Sequence, residues 1–292
     1  MLALDRWPQA EAVHDVGEAG VLAARNVSKT FGGIQALRGV SLTVTKGTIA
    51  GLIGPNGSGK TTLLNCLSGV TKLTAGSITL DGRAAIGWPP QRFARAGIVR
   101  TFQNIRLFSQ LTALQNVEVC ALAASGLSRS AARELAMSLL AELGIDGLAG
   151  RHAVTLSYGD QRRVEIARAL AARPRFVLLD EPAAGMNEAE SDALAESLAG
   201  IRDRLDCGLL VVEHNLRVVM GLCERVYVLN EGRLISDGLA EDVRRDPAVI
   251  AAYIGSPREA RAARLDGDPG EEQSPPSTGD KSPEIDKGVR GT

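Results

Sequence analysis

One run of residues, Gly54-Pro55-Asn56-Gly57-Ser58-Gly59-Lys60-Thr61-Thr62, constrains this chain more than any other stretch. Glycines at these spacings permit left-handed turns and close approach of backbone, so successive N–H groups can converge on a polyphosphate. Lys60 adds positive charge near the terminal phosphates, and the Thr61 hydroxyl is a candidate Mg²⁺ ligand. The flanks support this reading: Thr48 to Ile53 is an apolar run of strand type, and Lys60 to Ser68 carries Leu63, Leu64 and Leu67 at helical spacing with Gly69 as a stop. A bound anion would sit on the N-terminus of that helix. Taken alone, the same pattern is a glycine-rich turn with no ligand.

Around this loop the chain alternates between strand and helix signals. Residues 1–20 show no period and are expected to be a loose arm, with the ordered domain beginning near Val21. From Val40 to Thr45 apolar and polar residues alternate, predicting a half-buried strand that Lys46-Gly47 turns back into the strand before the loop, as a β-hairpin. Residues 76–83 predict a further strand, with Ile78 and Leu80 on one face and Asp81-Gly82 as its turn. From about residue 89 to 160 helical patterns dominate, notably Ala131 to Leu143, and read as a helical insertion. Strands then follow at Arg175 to Asp180 and Gly208 to Glu213, with helices at Asn187 to Leu205 and Asn215 to Cys223. Such strands, apolar on both faces, suit a parallel sheet covered by helices. A terminal hairpin across Asn230-Glu231-Gly232 and a helical stretch at 240–254 complete a domain over 21–255. Residues 256–292, rich in Pro, Ser, Gly, Asp, Glu and Lys, are expected to be disordered.

Composition sets outer limits. The 292 residues are 45% hydrophobic and 23% charged with a net charge of −1, which argues against a broad nucleic-acid footprint. Cys66, Cys120, Cys207 and Cys223 are widely spaced, predicting neither a zinc site nor a disulfide framework, as suits a reducing compartment. No apolar run approaches the roughly 20 residues that span a bilayer, and the first residues lack the pattern of a signal peptide. Work at a membrane would require membrane partners.

Two more stretches carry chemistry. The apolar strand ends in Asp180-Glu181, where Asp180 could hold Mg²⁺ and Glu181 could activate a water as general base. Leu156-Ser157-Tyr158-Gly159-Asp160-Gln161 opens a helix, so Ser157, Gly159 and the helix dipole could face a γ-phosphate; alone, the stretch is an ordinary helix cap.

Together, the loop at 54–62, the 156–161 stretch about 20 residues before Asp180-Glu181 and the lone His214 after a strand resemble the ATP-binding subunits of ABC transporters. The resemblance covers residues 21–254. It implies an α/β fold: a P-loop NTPase, RecA-like core with an antiparallel β subdomain and an inserted α-helical subdomain. It also implies ATP and Mg²⁺ as cofactors, Phe31 stacking on adenine, Gln103 sensing Mg²⁺ and His214 contacting the γ-phosphate. Tyr158 and Asp160 depart from the commoner Leu-Ser-Gly-Gly-Gln, and Asn187 stands where Asp is commoner. The run Val99 to Phe108, the loop Asp180 to Asn187 and the stretch Asp246 to Gly255 resemble the ATPases of branched-chain and other hydrophobic amino acid importers. Implied partners are a second ATP-binding subunit, two integral membrane permeases and, indirectly, a periplasmic or extracellular solute-binding protein, at the cytoplasmic face of the inner membrane. Urea or amide import, lipopolysaccharide export and a soluble ABC-type ATPase are the alternatives.

Overall fold

The computed structural model describes residues 20–254, so the expected arm (apart from Gly20) and the tail at 256–292 lie outside the described residues. In chain order come β1 (Val21–Phe31), β2 (Ile34–Thr45), β3 (Ile49–Ile53), α1 (Lys60–Leu67), β4 (Ala75–Leu80), β5 (Arg83–Ala84), α2 (Pro90–Arg95) and β6 (Ile98–Arg100). The helices α3 (Ala113–Ser125), α4 (Arg129–Glu142) and α5 (Tyr158–Leu170) follow. Then come β7 (Phe176–Asp180), α6 (Glu188–Leu205), β8 (Gly208–Val212), α7 (Leu216–Leu222), β9 (Arg225–Asn230), β10 (Arg233–Leu239), α8 (Ala240–Arg245) and α9 (Pro247–Ile254).

Two sheets result. The first is antiparallel, in the order β2-β1-β4-β5, and the second runs β10-β9-β3-β8-β7-β6 with β3, β6, β7, β8 and β9 parallel and β10 antiparallel at one edge. The expected hairpin across Lys46-Gly47 is therefore corrected: β2 pairs with β1, whereas β3 enters the other sheet between β8 and β9. The physical reason lies in burial. Val40, Leu42 and Val44 are buried and alternate with exposed residues, but β3 is buried at every position. A strand apolar on both faces belongs inside a helix-covered parallel sheet.

The β1 strand carried no clear alternation because it is bulged: its register with β2 shifts between Ala24 and Val27, and Asn26 has φ 50. β6 sits inside the stretch read as a helical insertion. At three residues it is too short to show a period, yet it forms the edge of the parallel sheet beside β7. The helical layer itself is α3, α4 and α5.

The parallel sheet divides the interior into two cores. On β7 and β8, Val177, Leu179, Leu209 and Val211 pack with the helical layer, while Phe176, Leu178, Leu210 and Val212 pack with α1 and the antiparallel sheet. Each fully buried side chain of this size contributes about 1.5–3 kcal/mol. The sheets are also tied by a polar contact: the buried Tyr227 hydroxyl on β9 donates to the Thr43 carbonyl at 2.9 Å and accepts from the Thr43 N–H at 3.1 Å. Replacing Tyr227 by Phe keeps the ring but strands both Thr43 groups. It is expected to cost about 1–3 kcal/mol, read as a lower denaturation midpoint in urea with an unchanged m-value.

Candidate nucleotide-binding site

The carboxyl ends of β3, β8 and β7 are neighbours in the sheet, and the predicted residues leave from them. Residues 54–59 follow β3, Asp180 ends β7 with Glu181 after it, and His214 stands two residues beyond β8. This is the edge at which open α/β sheets take ligands.

The loop is held by backbone. Gly54 has φ 148, and a Cβ there would overlap the Leu229 carbonyl of β9; Gly59 has φ 108 and would bring a Cβ to 2.7 Å from the Ala36 carbonyl. The turn between β9 and β10 adds a hydrogen bond from Gly232 N–H to the Ser58 carbonyl at 2.9 Å. Lys60 Nζ donates to the carbonyls of Gly54 (2.6 Å) and Pro55 (3.0 Å), folding the ammonium back over the loop. Asn56, Gly57 and Thr61 are exposed, Pro55 and Thr62 half-buried. The Ser58 hydroxyl is buried without a partner among the described residues. An orphaned hydroxyl, a lysine and the start of α1 around glycines that exclude side chains fit a polyphosphate and its counter-cation.

Asp180 is buried. Its N–H donates to the Thr101 hydroxyl at 3.1 Å, and one carboxylate oxygen pairs with Arg100 at 3.3 Å. Burial pushes its carboxyl above the usual range, opposed by the Arg100 charge. Arg100 also donates to Asn65 Oδ1 (2.5 Å) on α1, so one guanidinium joins the phosphate-loop helix to the acidic strand end. Glu181 is half-buried with φ 51, a strained conformation for a non-glycine residue, fixed by its N–H to the Val212 carbonyl at 2.8 Å.

Phe31 is 46% exposed at the end of β1, with Lys29 Nζ 4.6 Å from its ring centroid. Gln103 is exposed on the loop after β6, beyond Thr101, which is tied to Asp180. Ser157 and Gly159 stand at the start of α5; the Ser157 hydroxyl donates to Asp160 Oδ2 at 2.7 Å and caps the Asp160 N–H. Tyr158 packs beside Gly185 and Gly159 beside Met186, on the loop after β7.

Sequence reasoning passed over several residues that organise the site. Glu213, fully buried, accepts from Ala183 N–H at 2.8 Å and His214 N–H at 3.3 Å, tying together the loops after β7 and β8. Its signal was an acid beside His214 at the end of an apolar strand. Arg100, Arg162, Glu165 and Asn116 were also missed; all are buried polar side chains, Arg100 at the end of β6, Asn116 in α3, and Arg162 and Glu165 in α5.

Burial holds the Glu213 carboxyl above its ordinary 4.5, against the pull of the Ala183 N–H and His214. A carboxyl raised in the folded state stabilises the fold below its unfolded value, and that contribution is lost as pH rises through the folded value. Glu213→Gln is expected to remove this slope. The stability of wild type minus variant should then be greater at pH 4 than at pH 8, measured by urea denaturation at both.

The sequence matches the family described as ABC transporter over residues 37–184, and the family described as branched-chain amino acid ATP-binding cassette transporter over residues 233–259. A high-affinity branched-chain amino acid transport ATP-binding protein of Salmonella typhimurium, LivG, is 42% identical over 249 residues, covering 80% of this chain and 98% of that relative. BraF of Pseudomonas aeruginosa, of the same description, is 41% identical with the same coverage. The lipopolysaccharide export ATP-binding protein LptB of Escherichia coli is 36% identical over 234 residues, covering 80% of this chain and 97% of that relative. Among solved structures, an ATP-binding cassette of an ABC transporter in its ADP conformation superposes with a TM-score of 0.72 at 31% identity, covering 81% of this chain and 99% of that one. A dimeric bacterial ABC transporter cassette gives 0.69 at 28% identity, covering 75% and 98%. By sequence along nearly the whole length of these relatives, and by fold, the chain belongs to the ATP-binding proteins of ABC transporters, in the group of the branched-chain amino acid transport ATPases.

Proposed function

We propose that this chain hydrolyses ATP to power uptake of branched-chain or other hydrophobic amino acids, docked on two membrane permeases at the cytoplasmic face of the inner membrane. The observation that carries the ATPase reading is the convergence of the 54–62 loop, Asp180-Glu181 and His214 on one sheet edge. No helix among the described residues is long and apolar enough to cross a membrane, so in this reading the membrane path is supplied by partners. A solute-binding protein would deliver the amino acid outside.

In this reading ATP binds between two cassettes arranged head to tail. The loop Gly54 to Thr62 of one cassette holds the phosphates, Phe31 stacks on adenine, and Ser157 and Gly159 of the second cassette close over the γ-phosphate. Mg²⁺, held by Thr61, Asp180 and Gln103, would neutralise phosphate charge. Glu181 takes a proton from the attacking water as its oxygen bonds to the γ-phosphorus and ADP departs. His214 contacts the γ-phosphate. Closure is favoured by ATP and reversed by hydrolysis, so differential binding becomes movement of the permeases.

Glu181→Gln removes the base and leaves the phosphate contacts. Nucleotide affinity is expected to be retained, turnover to fall by about 10²–10⁴-fold, and an ATP-bound dimer to accumulate on size exclusion. Unchanged turnover would reassign the base. Partner identity is tested by capturing tagged protein from native membranes and identifying what co-purifies. Two permeases with an amino acid receptor support the importer; lipopolysaccharide-export components, or soluble partners alone, would replace it.

A further inference from the structure

The guanidinium of Arg162 is fully buried, one turn into α5 from Ser157. It donates to the carbonyls of Phe102 (2.6 Å) and Gln103 (2.9 Å) and to Glu165 Oε2 (2.8 Å). Glu165, also buried, accepts from the Arg106 N–H at 3.2 Å through its other oxygen. Two side chains of α5, one turn apart, thus hold three backbone groups of the loop that carries Gln103. The loop's far side is braced by Phe102, whose ring lies beneath the guanidinium groups of Arg100 (4.6 Å) and Arg106 (4.1 Å), and Arg100 pairs with Asp180.

A buried ion pair is a poor way to gain stability alone, since desolvation offsets its attraction, and here Arg162 Nε is left without a partner among the described residues. What the forked guanidinium supplies is geometry: two adjacent carbonyls fixed to one helix face. We propose that Arg162 and Glu165 are positioning residues that lock the Gln103 loop to α5, so that this loop and the Ser157–Gly159 turn move as one piece. Resting on the head-to-tail reading above, this joins the two ATP sites. Gln103 faces the nucleotide of its own subunit and Ser157 that of the other, so filling one site places the closing half of its neighbour.

The test uses the full chain. In the double variant Arg162→Met with Glu165→Met, which removes both charges and keeps the volume apolar, the affinity of the single cassette for ATP without Mg²⁺ should stay within about twofold, being set at residues 54–62. Turnover should fall about tenfold, and the Hill coefficient for ATP should drop from near two to near one. Arg162→Lys should follow the double variant, because an ammonium lacks the fork. Wild-type turnover and Hill coefficient in a folded double variant would overturn the proposal. If the variants do not fold, hydrogen exchange on wild-type protein, diluted until it is monomeric, decides the matter. Added ATP should slow exchange at 54–62, 101–106 and 157–162 together. Protection at 54–62 without 157–162, whether or not 101–106 is protected, overturns the clamp alone; no protection at 54–62 overturns the nucleotide site itself and the clamp with it.

Discussion

The nucleotide edge depends on one close approach, the backbone of Gly54 lying against the carbonyl of Leu229 with no room for a side chain between them. That approach sets the loop between β2 on one side and the β9–β10 turn on the other. Gly232 completes it by donating to Ser58. The loop is therefore not a free ribbon that ATP must order; its course is prescribed by strands distant in sequence, which lowers the entropy cost of binding. The same strands carry α1 to the place where its first turn can meet phosphate.

Around that edge the protein buries an unusual set of charges. Asp180 is offset by Arg100, Arg162 by Glu165, and Glu213 by two backbone N–H groups. Such groups cost stability when left unmatched and specify geometry when matched. Here they fix the loops after β6, β7 and β8, which carry Gln103, Glu181 and His214. The scaffold is apolar and redundant, whereas the loop positions rest on a few buried polar side chains, each holding two or more groups.

The sequence made some features legible and hid others for definable reasons. Val40 to Val44 showed its alternation because one face is buried, and β3, β7 and β8 showed theirs as unbroken apolar runs. The loop at 54–62 was readable because its chemistry is local, carried by adjacent residues. Pairing partners are not local: the short β2–β3 spacing predicts a hairpin, and only the burial of β3 on both faces sends it into the other sheet. β1 was obscured by a bulge at Asn26, and β6 by its brevity. Arg162, Glu165 and Glu213 escaped because a charged residue in a helix or beside a strand reads as solvated until its partners, here up to 60 residues away, are known.

The hydroxyl of Tyr227 has a wider consequence. The antiparallel sheet carries Phe31, the residue proposed to stack on adenine, while the parallel sheet carries the loop at 54–62. Tyr227 lies on β9, the strand that also supports Gly54 through Leu229, and its bond to Thr43 fastens that strand to the sheet bearing Phe31. In the proposed reading, the separation between base and phosphate subsites is thereby built as a fixed gauge. In that reading ATP and ADP both span it, since each carries the adenine and the first two phosphates, and the γ-phosphate alone is left to distinguish them.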